Sequence, residues 1–126
     1  MSNFHKLIYG YTLADGGCTI PLYDGAIGVE FLNPKKGYVV GGCGDDDECD
    51  AYDYKAFQAT IEEFIMNAYL DSNLHRNVGV GTWLHEGKIV FDIVEIIPDK
   101  ETAIDYGNQR KQKAIYSCED KETIYL

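Results

Sequence analysis

Within the stretch GGCGDDDECDAYDY at 41–54, six carboxylates fall in nine positions: Asp45, Asp46, Asp47, Glu48, Asp50 and Asp53. Cys43 and Cys49 bracket the densest part. Residues of these types could hold a hard cation, present a surface to a cationic partner, or form a solvated loop ahead of a helix. A calcium loop of the EF-hand kind needs acidic or amide groups at positions 1, 3 and 5, Gly at 6 and Glu at 12. Counting from Asp45, position 6 is Asp50 and position 12 is Ala56; counting from Asp46, they are Ala51 and Phe57. Both registers fail, which leaves only an irregular divalent site on that branch. Carboxylates also gather before helix N-termini, where the macrodipole favours them, but one or two satisfy that need. Six at this density resemble the regular negative charge of a nucleic-acid backbone, to which Lys/Arg-rich grooves are adapted. Tyr52 and Tyr54 lie beside the acids and could add contact area with a polar tip.

Other chemistry is sparse. The histidines are His5, His75 and His85, none in a GxSxG, HExxH or Cys-His spacing; each reads as structural or surface. Glu62-Glu63 and Asp92 with Glu95 are carboxylate pairs whose mutual placement the sequence does not give. A zinc site expects paired Cys/His at short spacing, and only Cys43 and Cys49 come close. No catalytic residues, metal ligands or cofactor are therefore assigned.

The six carboxylates of 45–53 carry −6 of the chain's −10, leaving only −4 on the other 117 residues. This is a nearly balanced chain with one anionic segment. Direct nucleic-acid binding through a basic face is disfavoured, and a cationic partner is favoured. The small basic run Gln109-Arg110-Lys111-Gln112-Lys113 is a cationic helix end, or a partner for the acidic segment of a second copy in a homodimer. At 126 residues and 45% hydrophobic, the chain fits one domain over 1–126 with a sizeable core. No apolar run is long enough to cross a membrane, and the N-terminus lacks a signal-peptide pattern, so the expected compartment is the cytosol, with reduced thiols.

The elements that must position these residues read as follows. FHKLIYGYTL at 4–13 reads as a short strand, ADGG at 14–17 as a turn, and CTIPLYDGAIGVEFL as extended chain broken at Pro21, Asp24-Gly25 and Gly28. NPKKG at 33–37 is a turn and YVVGG a short strand. Apolar residues at 54, 57, 61, 64, 65 and 68 give a long amphipathic helix over about 53–71, capped by Asp50 or Asp53 and exiting at Asp71, Ser72 and Asn73. VGVGTWL and IVFDIVEII form a hairpin around His85-Glu86-Gly87-Lys88, with the second strand central and Trp83 in core or edge packing. Asp99 caps a short helix over about 99–111, and KAIYSC with TIYL closes the chain as a second hairpin. The predicted fold class is α+β: an antiparallel sheet built from hairpins, with the two helices packed on it.

GYTLADGGCTI, GYVVGG, VGTWLHEGKIVFDIVEII and ETAIDYGNQRKQKAIY together resemble a loose family of small accessory proteins carried by phages, prophages and plasmids. The acidic segment is not part of that pattern. The resemblance implies a mobile-element origin and, by analogy with other small acidic phage proteins, an anti-CRISPR-like or antirestriction role. The expectation is a non-enzymatic inhibitor that docks Asp45, Asp46, Asp47, Glu48, Asp50, Asp53, Tyr52 and Tyr54 on the basic surface of a bacterial nucleoprotein or nuclease. The alternatives are a small-molecule or divalent-metal binding protein, with or without enzymatic activity, and a self-assembling accessory protein.

Overall fold

The computed structural model describes residues 2–22, 32–71 and 77–126. The expected breaks at Asp24-Gly25 and Gly28, the helix exit at Ser72-Asn73, and His75-Arg76 lie outside the described residues. The chain runs α1 (Ser2–Asp15), β1 (Gly17–Pro21), β2 (Tyr38–Val40), β3 (Asp47–Asp50), α2 (Tyr54–Asp71), β4 (Val78–His85), β5 (Lys88–Ile97), α3 (Lys100–Gln109), β6 (Ala114–Ser117) and β7 (Glu122–Tyr125). The class is α+β, with every strand pairing antiparallel in one sheet of order β1-β4-β5-β2-β6-β7, and β3 also on β5. No described helix is long and apolar enough to cross a membrane.

The β4–β5 hairpin turns on Glu86 and Gly87, both at positive φ (50° and 79°), the backbone that a two-residue hairpin loop needs. β5 is central, as its apolar faces require. Ile89, Phe91 and Ile93 face α2, where Phe57, Ile61, Phe64 and Ala68 recur at helical spacing and are buried. Cys18, Ile20, Val78 and Val80 extend this layer under α1. α3 covers Val40, Ile97 and Ile115 at the far end of the same face. The opposite face carries a smaller buried cluster of Val39, Val94, Ile96 and Cys118. Asp99 caps α3 as expected, its Oδ2 accepting from the Thr102 N–H at 2.9 Å.

Two expectations are corrected here. Residues 4–13 are helical, not a strand. Ile8, Tyr9, Tyr11 and Thr12 favour strands by propensity, yet His5, Ile8 and Thr12 share a helical face that is buried against the sheet. Tertiary packing overrides local preference, and the Thr12 hydroxyl bonds both the Ile8 carbonyl (2.8 Å) and Thr82 Oγ1 (2.6 Å). The acidic segment, expected as a loop ahead of α2, includes a strand, β3, on the edge of β5.

Candidate functional site

The acidic segment is held by an interruption in sheet pairing. β2 pairs 38 with 97 through 40 with 95, and β3 pairs 47 with 91 through 50 with 88. Six residues, 41–46, therefore oppose only three, 92–94, and the surplus is thrown out as a wide bulge. Glycine makes this possible. Gly42 sits at φ +82°, and a Cβ at Gly41 would collide with the Asp92 carboxylate and with Gln112. The Cys43 N–H donates to the Ile93 carbonyl at 3.3 Å within the bulge.

Asp92 anchors it. This buried residue accepts a hydrogen bond from the Gly42 N–H at Oδ2 (3.1 Å), while Oδ1 has no hydrogen-bond partner among the described residues. Burial pushes its carboxyl up to about 6; the Asp46 charge adds to this, and the Gly42 hydrogen bond and Arg110 oppose it. A second brace comes from the end of α3. Arg110 donates to Glu95 Oε1 at 2.6 Å and to Cys43 Sγ at 3.3 Å, and stacks over Tyr106 at 5.1 Å. The basic run 109–113 is thus partly used inside the molecule: Arg110 is committed to Glu95 and Cys43, and the Gln112 amide packs against Gly42.

Of the eight residues singled out from the sequence, the structure gathers seven at one exposed margin. Asp45, Asp46, Asp47, Glu48, Asp50, Tyr52 and Asp53 are exposed, Tyr52 to 85%. Asp50 and Asp53 have local structural work as well. Asp50 Oδ1 accepts from the Tyr52 N–H (2.9 Å), and Asp53 Oδ1 accepts from the Ala56 N–H (3.1 Å), capping α2. Tyr54 turns inward instead; it is half-buried in an edge-to-face contact with Tyr9 (5.1 Å) and stacks near Phe57 (6.3 Å). No ion pair among the described residues involves any of the six carboxylates.

Beside the acids lies a groove of about 430 Å³ on the sheet face opposite the helices, lined by Asp46, Asp47, Glu48, Trp83, His85 and Val90. Cross-strand register sets Glu48, Val90 and Trp83 side by side on β3, β5 and β4. Trp83, expected in core or edge packing, is 40% exposed on that open face. A second cavity of about 330 Å³ opens on the helix side of the bulge, lined by Asp45, Phe64, Asn67, Leu70 and Ile93.

Among the described residues, Cys18, Cys49 and Cys118 are buried thiols held in their protonated form. Burial pushes the Cys18 thiol up to about 12, Cys118 to about 11, and raises Cys49. His5 is buried 3.6 Å from Glu62, its pKa lowered chiefly by burial. Among the described residues no three His, Cys, Asp or Glu side chains are grouped as metal ligands. Comparison with family models, with curated proteins and with solved structures found no match.

Sequence reasoning missed Asp92, Glu95 and Arg110 as a brace and Trp83 as a groove wall. Two separate signals were present: a GGCG run after a short strand, and, far along the chain, a strand that carries an isolated acid among apolar neighbours. Cross-strand neighbours, by contrast, leave no local trace.

Proposed function

We propose that this chain is a non-enzymatic binding protein whose acidic margin docks on a Lys/Arg-rich surface of the kind that holds nucleic acid. The observation that carries the reading is the fixing of unpaired carboxylates on a braced β-edge and bulge rather than on a free loop. An edge strand is held by its ladder, so its charges can meet a rigid cationic groove with little ordering cost. Lysines and arginines that pair with phosphates can pair with these carboxylates, and salt would screen that contact. The resemblance to mobile-element accessory proteins adds a specific candidate within this partner class: a bacterial nucleic-acid-targeting defence complex, which docking would inhibit.

Carboxylates on an edge strand also discourage pairing with other chains. The test must separate that role from partner binding, and charge reversal does so, because lysine protects an edge as well as a carboxylate does. The Asp47→Lys/Glu48→Lys chain should keep the oligomeric state and circular dichroism of the unaltered chain, yet lose a basic nucleic-acid-binding protein that the unaltered chain captures at low salt. Duplex DNA should compete with the unaltered chain for that protein. Capture undiminished by reversal, or insensitive to both salt and DNA, would refute the reading.

A further inference from the structure

The acids explain attraction to any cation, but the groove beside them has a shape, and its one aromatic wall is an oddity. Trp83 is the chain's only tryptophan, and it stands exposed near the turn of the β4–β5 hairpin. Glu48 and Trp83 lie two strand spacings apart, about 10 Å between backbones. Val90 stands between them in register and forms the floor. One wall is therefore a carboxylate, the other an indole, and the floor is apolar. One row further toward the turn, Asp50, Lys88 and His85 stand side by side. The Lys88 charge disfavours a second cation at that end, while Asp46 and Asp47 favour one at the other.

From this arrangement we infer that the groove is a receptor for an arginine side chain of the docking partner, its guanidinium lying against Trp83 and its N–H groups turned to Glu48, Asp47 and Asp46. The inference rests on the proposed docking of the acidic margin and specifies what that margin recognises. Arginine fits better than lysine for three reasons. Its planar head stacks on an indole face, its fork of donors can serve two carboxylates at once, and it is more weakly hydrated than an ammonium. An aliphatic stem over Val90 would bury apolar surface on the way. A nucleobase could also stack on tryptophan, but its phosphates would meet the acids as like charges.

The test uses the whole chain and two dye-labelled synthetic peptides, Gly-Arg repeats and Gly-Lys repeats of equal length and charge. Binding is read by anisotropy and by Trp83 fluorescence. The arginine peptide should bind at least about fivefold more tightly than its lysine twin and change the Trp83 emission saturably. Trp83→Ala should weaken it about tenfold, with most of the affinity kept in Trp83→Phe, since both effects follow from stacking. Equal affinity for the two peptides, with Trp83→Ala unchanged, would overturn the arginine receptor. If Asp47→Lys/Glu48→Lys abolished that binding, the acidic docking reading would stand without it. If the reversal changed nothing either, both would fall.

Discussion

Asp92 offers the sharpest test of how the bulge is held, because its predicted effect changes sign with pH. Burial raises its carboxyl from the ordinary 3.8 to about 6. The folded state therefore holds this proton more tightly than the unfolded chain does. The sign follows: between about pH 4 and 6 the native state binds the extra proton, so raising the pH through that window costs stability. A shift of about two units corresponds to roughly 3 kcal/mol, fully felt above pH 6 and absent below about 4. Asp92→Asn removes the charge while leaving an amide oxygen for the Gly42 N–H. Its amide group must then lie where Oδ1 has no partner, a burden of about 1 kcal/mol. At pH 7.5 the variant should thus be more stable by about 1–2 kcal/mol, a rise in Tm of about 5 °C. At pH 4 it should be less stable by about 1 kcal/mol. Urea unfolding of both chains between pH 4 and 8 isolates the difference, since every other titrating group is common to the two. A difference of constant sign, or a variant destabilised at pH 7.5, would show that burial does not disfavour the ionised Asp92 carboxylate.

Two further predictions concern the frame. Gly41→Ala drives a methyl into the Asp92 carboxylate and Gln112, so it should destabilise by about 2 kcal/mol or more in thermal or urea unfolding; an unchanged Tm would mean that the bulge is not closed on Asp92. Thr12→Val and Thr82→Val each remove one partner of a buried hydroxyl pair that ties α1 to β4. Each should cost about 1 kcal/mol, and the double variant little more than either alone, giving a coupling of about 1 kcal/mol; strict additivity would remove the tie.

What could be read from the sequence follows the range of the interactions. α2 was legible because 57, 61, 64 and 68 recur on one face, and that face is the one buried. The β4–β5 hairpin and the Asp99 cap were legible because turn and cap chemistry lies within a few residues. α1 was misread because its β-branched and aromatic residues were weighed locally, while its helicity rests on the sheet beneath Ile8 and Thr12. The acidic charge was plain, but its place was not. Whether 47–50 becomes a loop or an edge depends on Phe91, Val90, Ile89 and Lys88, some forty residues along the chain. The inward turn of Tyr54 depends likewise on Tyr9.

The interrupted pairing along β5 also bears on where the chain can change in length. Thirteen residues, 38–50, run beside the ten of β5, 88–97, and the registers on either side of the bulge differ by three. Excising three residues between 41 and 46 would leave ten against ten, with an unbroken alternation from Tyr38 to Asp50. The bulge therefore behaves as an insertion in an otherwise ordinary strand. A change in the length of this segment would leave the strands flanking it with their partners. Asp45 and Asp46 belong to this surplus, whereas Asp47, Glu48 and Asp50 belong to the paired strand, so a change in its length would alter the first two charges and leave the other three in register.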